Sequence, residues 1–235
     1  MDEHTIVGSA EWLAARRELL QKEKEFTHAR DAISAARRVL PWERVEKDYA
    51  FETPRGRASL ADLFDGRQQL VIYHFMLGPE WEEGCKSCSF WVDNFNGVDV
   101  HLGHRDVTLI AVSQAPLAKI EAYRRRMGWT IAWVSSFGSD FNFDYQVSFR
   151  PEDVAAGTAT YNYAPTKTTM SELPGISVFF RDDAGAVFHT YSCYARGLDM
   201  LNGAYHYLDL VPKGRDETGL PQTMSWLRRH DQYED

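Results

Sequence analysis

Val71-Ile72-Tyr73-His74-Phe75-Met76-Leu77-Gly78-Pro79-Glu80-Trp81-Glu82-Glu83-Gly84-Cys85-Lys86-Ser87-Cys88-Ser89-Phe90-Trp91 reads as a buried strand, a short polar loop, and two cysteines three apart where a helix opens. Val71 to Leu77 is β-branched, aromatic and apolar with no solvated face, as a central parallel strand requires. Gly78-Pro79 stops the strand, and the helix opening near Gly84 puts Cys85 at its N-terminal end. Three residues is nearly one helical turn, so both sulfurs lie on one face, the first exposed and the second turned inward. Free backbone N–H groups at a helix start favour a thiolate, which is the nucleophile in disulfide exchange. Glu82 and Glu83 work against that thiolate and Lys86 works for it.

A Cys-x-x-Cys that follows a central strand and opens a helix points to redox use. The competing reading is half of a zinc site, which needs two further ligands at short spacing. The third cysteine, Cys193, stands about a hundred residues on, and no His-x3-His spacing follows the pair. A metal-binding or carrier protein would therefore have to add a distant histidine such as His74 or His189. A third reading is a binding module that keeps the fold without the chemistry. Cys193, in an apolar and aromatic strand, is expected to be a structural thiol.

Composition sets the outer bounds. The chain has 235 residues, 44% of them hydrophobic, enough for one well-packed core with appendages. Its net charge of −8 argues against a nucleic-acid surface. No apolar run is long enough to cross a membrane. The start, Met1-Asp2-Glu3-His4-Thr5, is acidic and has no apolar signal-peptide core, so a cytoplasmic protein is expected. In that compartment a Cys-x-x-Cys is catalytic or metal-binding rather than a staple.

Outward from the cysteines, strand and helix alternate. Val107 to Val112 is a second buried strand, a helix starts at Pro116 and ends at Gly128, and Thr130 to Val134 is a third strand, so this half of the sheet is parallel. Arg124-Arg125-Arg126 complement the helix end without needing an anionic partner. Residues 135–173 break the rhythm as a long insertion. Gly175 to Phe180 and Ala186 to Tyr194 then form a hairpin around Asp182-Asp183-Ala184-Gly185, followed by a helix from Leu198 to Leu210. Upstream, Ser59 and Asp62 resemble a capping box whose carboxylate is one carbon short.

The first forty residues differ in kind. Trp12, Leu19, Phe26, Ile33 and Leu40 recur every seven residues in a sequence rich in Ala, Glu, Arg and Lys, predicting an amphipathic helix from Ser9, with Thr27-His28 as a break point. Its stripe is expected to lie on the chain's own core, or to make a homodimer by meeting a second subunit as well. The expected organisation is a helical arm over 1–40, a domain over 41–211 with its insertion near 135–173, and a tail over 212–235.

The order of central strand, Cys-x-x-Cys helix, strand, helix, antiparallel hairpin and last helix resembles the thioredoxin fold. More closely, the whole chain is similar to a bacterial family described as predicted dithiol-disulfide oxidoreductases of the DUF899 type. The likeness rests on Tyr73-His74-Phe75-Met76, Gly84-Cys85-Lys86-Ser87-Cys88-Ser89-Phe90-Trp91, Gly138-Ser139-Asp140-Phe141-Asn142-Phe143 and His189-Thr190-Tyr191-Ser192-Cys193-Tyr194-Ala195-Arg196-Gly197. It implies an α/β, thioredoxin-like fold in its peroxiredoxin-like variant: a three-layer sandwich with a central mixed sheet, plus the N-terminal helical arm. It also implies Cys85 as attacking thiol, Cys88 as resolving thiol, and Pro174 as the cis-proline facing the disulfide. The expected partner is a protein or small-molecule disulfide or thiol, with no cofactor and no metal. The sequence departs from thioredoxin's Trp-Cys-Gly-Pro-Cys, and the peroxiredoxin pattern is absent, since Glu82 stands three before Cys85 and Pro79 six before it.

Overall fold

The computed structural model describes residues 4–234, so the acidic start Met1-Asp2-Glu3 lies outside the described residues. The chain divides into two compact units, the first ending at Pro41 and the second beginning at Trp42.

The first unit is one uninterrupted helix, α1 (Ser9–Arg38), entered from Gly8 as N-cap. Thr27 does not break it: its hydroxyl donates to the Glu23 carbonyl at 3.0 Å, within the helix's own hydrogen-bond pattern. None of its residues is buried.

The second unit contains, in order, β1 (Glu43–Arg44), β2 (Ala50–Thr53), β3 (Gly56–Ser59), β4 (Gln69–His74), α2 (Lys86–Val92), α3 (Val98–Gly103), β5 (Val107–Ser113), α4 (Leu117–Arg126) and β6 (Ala132–Ser135). There follow α5 (Phe141–Asp144), α6 (Pro151–Ala156), the two-residue strands β7 (Thr160–Tyr161) and β8 (Ala164–Pro165), β9 (Gly175–Arg181), β10 (Val187–Tyr194) and α7 (Gly203–Leu208). Eight strands form one sheet in the order β1-β10-β9-β4-β5-β6-β2-β3. β4, β5 and β6 run parallel, while β9 is antiparallel to both β4 and β10. Read as β10-β9-β4-β5, this is the mixed four-strand core of a thioredoxin-like fold, widened at both edges.

Alternation along β4 and β5 divides two cores. Tyr73, Leu109 and Ala111 face one side with Cys88, Trp91, Ile120, Tyr123 and Tyr205, beneath α2, α4 and α7. Leu70, Ile72, Ile110 and Val112 face the other, covered by Phe51, Phe64, Phe141 and Tyr145. That second layer is thin, because it is built from the β2–β3 hairpin, a 3₁₀ turn at Asp62–Phe64 and the one-turn α5.

Several boundaries differ from the sequence expectations. The Ser59–Asp62 box forms despite its short side chain: Asp62 Oδ2 accepts from the Ser59 N–H at 2.8 Å and from its hydroxyl at 2.7 Å. The helix expected over 198–210 is instead a 3₁₀ segment, Ala195–Leu201, followed by α7. Asn202 separates the two because its side chain accepts from the Tyr205 N–H at 3.1 Å and caps a new helix. Arg126 does find anionic partners, bonding Glu83 and, at 2.6 Å, Asp231.

Candidate active site

The site begins where β4 ends. Phe75 N–H still bonds the Val112 carbonyl at 2.9 Å, and Leu77 carbonyl accepts from Ala115 at 2.9 Å, so the chain stays on the sheet beyond His74. It then loops out and returns, Cys85 N–H donating to the Met76 carbonyl at 3.1 Å. The return passes through a space that only glycine fits: a Cβ on Gly84 would stand 2.7 Å from the rings of both Phe75 and Tyr123.

Two further devices fix the helix start. Arg229 Nε donates to the Tyr123 hydroxyl at 2.9 Å, Tyr123 meets Ser89 Oγ at 2.9 Å, and Ser89 Oγ donates to the Cys85 carbonyl at 2.8 Å. Arg229 also grips the Gly84 carbonyl and pairs with Glu83 at 2.7 Å. Glu83 is thus neutralised by Arg229 and Arg126, which removes most of its opposition to a thiolate next door. Lys86 turns the other way, its ammonium donating to the Ser225 carbonyl at 3.3 Å.

The two cysteines differ as strongly as their positions suggest. Cys85 is the N-cap of α2 and partly exposed, whereas Cys88 is 1% exposed. The Cys88 thiol donates to the Cys85 sulfur, and the backbone N–H groups of Cys88 and Ser87 and the Ser87 side chain add to it; together they hold the Cys85 thiol below its ordinary range against the cost of burial. Burial and the neighbouring Cys85 charge push Cys88 well up, although the Tyr73 hydroxyl points at its sulfur and opposes that shift. One sulfur is poised as thiolate and the other is kept as thiol.

Pro174 lies against the same cavity as both cysteines. Its peptide bond is trans, as are all those among the described residues, which differs from the cis geometry implied by the thioredoxin likeness. The carbonyl of Pro174 accepts from Tyr161 OH at 2.7 Å, and Tyr161 in turn accepts from the Ala195 N–H at 2.9 Å, tying the proline loop to the end of β10. The cavity measures about 410 Å³ and includes Tyr73, Trp91, Met170 and Leu198 in its wall.

Beside the pair lies Glu172, buried at 4% exposure, with one carboxylate oxygen that no protein group bonds. Burial raises it to about 8, the negative charge of Cys85 adds to the shift, and a bond from the Leu77 N–H opposes it.

The histidines are elsewhere. His74 faces the opposite side of the sheet from Tyr73, with Nε2 2.9 Å from Ser177 Oγ; the row continues through Ser192 to His189 Nε2 at 2.7 Å. Burial, with His189 nearby, holds His74 down to about 3, so it is neutral. Among the described residues no group of three or more His, Cys, Asp or Glu side chains could hold a metal ion. Cys193 is 8% exposed, within the same apolar cluster as Cys88.

Sequence reasoning did not find Tyr73, Glu172, Tyr161 or Arg229 as parts of this site. Tyr73 was within reach, since strand alternation places it on the face that α2 covers. The other three arrive through long-range packing that leaves no local signature.

The sequence profile of the bacterial proteins of unknown function designated DUF899 matches residues 1–233. The chain belongs to the DUF899 family. No curated protein matches this DUF899 chain significantly. Among solved structures it is similar to a PrxQ mutant from Xylella fastidiosa, at 11% identity over 71% of this chain and 95% of that one, with a TM-score of 0.42. Yeast mitochondrial 1-Cys peroxiredoxin is 17% identical over 73% of this chain and 78% of its own, with a TM-score of 0.39. A putative protein disulfide isomerase from Bacteroides thetaiotaomicron is 16% identical over 71% and 91%, with a TM-score of 0.38. None of the helices among the described residues is long and apolar enough to cross a membrane.

Proposed function

We propose that this DUF899 chain is a thiol–disulfide oxidoreductase in which Cys85 attacks and Cys88 resolves. The observation that carries the reading is the opposed environment of two neighbouring sulfurs: a partly exposed Cys85 with depressed thiol pKa, and a buried Cys88 held protonated. In the first step the Cys85 thiolate attacks one sulfur of a substrate disulfide, forming a mixed disulfide and expelling the other half as thiolate. In the second, Cys88 sulfur attacks Cys85 sulfur, the bond to substrate breaks, and the departing thiolate takes up the proton that Cys88 gives up. The substrate has gained two electrons and the one proton of Cys88, its first half having left as thiolate, and the protein is left with a Cys85–Cys88 disulfide. An external thiol recharges it by the reverse sequence. A cytoplasmic setting, in which thiols are kept reduced, would supply that reductant.

Pro174 belongs to this site as a wall. A proline there presents no N–H that could compete for a sulfur lone pair. No cofactor is needed, because both electrons reside in the sulfur pair.

The reading is tested by intact mass after exposure to graded thiol–disulfide buffers. The full chain should lose two hydrogens reversibly, Cys193→Ala should behave the same, and Cys85→Ser and Cys88→Ser should each abolish the change. A pair that stays reduced in oxidising buffer, or a disulfide that needs Cys193, contradicts it.

A further inference from the structure

The cavity beside Cys85 has a chemistry of its own. At about 410 Å³ it falls within the range of small-molecule sites, roughly 300–1,000 Å³. Its wall is formed largely by Tyr73, Met76, Trp91, Met170, Leu198 and Met224. The polar atoms of the large rings are already committed: Trp91 Nε1 donates to the Leu198 carbonyl at 2.8 Å, and the Tyr73 hydroxyl is turned to Cys88. Methionines at three points of the wall give it polarisable, adjustable surfaces that suit aromatic or branched groups.

The arginines near the mouth are ion-paired within the protein. Asp199 pairs with Arg196 at 2.9 Å and with Arg215 at 3.1 Å, and Arg215 is further bound to Asp209 at 2.8 Å. Arg196 itself is 86% exposed, and Lys86 spends its ammonium on the Ser225 carbonyl. An anionic substrate entering here would meet arginines already paired with Asp199 and Asp209, while the thiolate it approaches carries negative charge. Desolvating its carboxylates against apolar walls would go uncompensated.

From this wall and this mouth, and resting on the disulfide-exchange reading, we infer that the cavity is the substrate site and that it selects small, uncharged, apolar disulfides. One half of such a substrate packs between Trp91, Leu198 and Met224 and presents its sulfur to Cys85. The Cys85 thiolate takes that sulfur into a mixed disulfide and the other half leaves as thiolate. Glutathione-like disulfides, with several carboxylates, are poor substrates by the same argument.

Two measurements test the inference and separate its failure from that of the redox reading. The first uses the full chain as Cys85→Ser/Cys88→Ser, titrated with N-phenyl-naphthylamine, an uncharged fluorophore that cannot exchange. One site per chain should bind, Met170→Glu in that background should weaken it about tenfold or more, and Met170→Leu should preserve it. Met170 is 40% exposed, so the charge does not have to be buried for the variant to fold. The second follows single-turnover exchange of Cys88→Ser with neutral dithiodipyridine and with dianionic dithiobis-nitrobenzoate, each rate divided by that of free mercaptoethanol. The neutral reagent should be favoured about tenfold or more, and Met170→Lys, which places a cation on the wall, should bring the ratio closer to one. Exchange without preference, or fluorophore binding indifferent to Met170→Glu, overturns the inference and leaves the redox reading standing. Tight fluorophore binding with no exchange from either reagent overturns the redox reading, and with it the assignment of a disulfide as the ligand.

Discussion

The Cys88 thiol donates its hydrogen to the sulfur of Cys85, so the second cysteine of the pair stabilises the charge on the first. It is the largest single cause of the depressed Cys85 value, ahead of the backbone N–H groups of Cys88 and Ser87. The resolving residue therefore contributes before any substrate arrives.

Cys88→Ala and Cys88→Ser should consequently differ. Serine keeps an O–H donor beside Cys85 and alanine does not. Alkylation of Cys85 by iodoacetamide, followed against pH, should reach half its maximum well below the ordinary thiol value of about 8.5 in Cys88→Ser. In Cys88→Ala the midpoint should move up towards that value. Identical midpoints would remove the donor role from Cys88.

Tyr73 acts on the other sulfur. Its hydroxyl favours the charged form of Cys88, so Tyr73→Phe should slow the second step and spare the first. A hydrogen bond to a charged group contributes about 1.5–3 kcal/mol, which corresponds to roughly ten- to a hundredfold in the resolution rate. Quenched-flow separation of mixed disulfide from final disulfide would show the intermediate accumulating in the variant. An unchanged second step with a slowed first would contradict the assignment.

Glu172 predicts a signature in stability. Its carboxyl is raised from an ordinary 4.5 to about 8, so between those values the folded chain holds a proton that the unfolded chain has released. Its contribution is complete below about 4.5 and is lost as pH rises through 8. At about 1.4 kcal/mol per unit, the loss at neutral pH is on the order of 3 kcal/mol. Glu172→Gln should flatten this slope, narrowing its deficit or exceeding the parent as pH rises from 5 to 8. Urea midpoints across that range decide it; parallel curves for the two proteins would refute the burial argument.

The helix α1 carries an apolar stripe with nothing to cover it among its own residues. Trp12, Leu19, Phe26 and Ile33 are 59, 51, 69 and 54% exposed. Each such side chain, left in water rather than buried, forgoes about 1.5–3 kcal/mol. A second copy of the chain is the expected partner. Light scattering of the full chain should give a dimer, and Phe26→Asp a monomer. A full-length chain that is monomeric at every concentration rules the dimer out.

What could be read in the sequence was what local pattern determines. Val71 to Leu77 has no polar face and must be a central strand, and Cys85 and Cys88 must then stand one helical turn apart above it. The Asp182–Gly185 hairpin was equally legible, since Asp182 Oδ1 accepts from the Ala184 and Ala186 N–H groups in the manner of a local turn. Features joined across the chain were not legible. Arg229 reaches Gly84 from 145 residues away, and Glu172 is buried beside the cysteines only because Leu173 N–H and the Phe149 N–H stitch residues 147–149 to 171–173. Asn202 split a helix that apolar spacing alone would continue. The trans bond before Pro174 departs from what the resemblance implied, and no residue near it announces that.

The most direct measurement of the central claim is disulfide trapping on the two single variants, each carrying Cys193→Ala. Cys88→Ser retains the poised thiol and lacks its resolver; Cys85→Ser retains only a buried thiol held protonated. After incubation with cell extract under non-reducing conditions, stable mixed disulfides should accumulate on Cys88→Ser and scarcely on Cys85→Ser. Equal trapping on both variants, or on neither, would contradict an ordered dithiol mechanism.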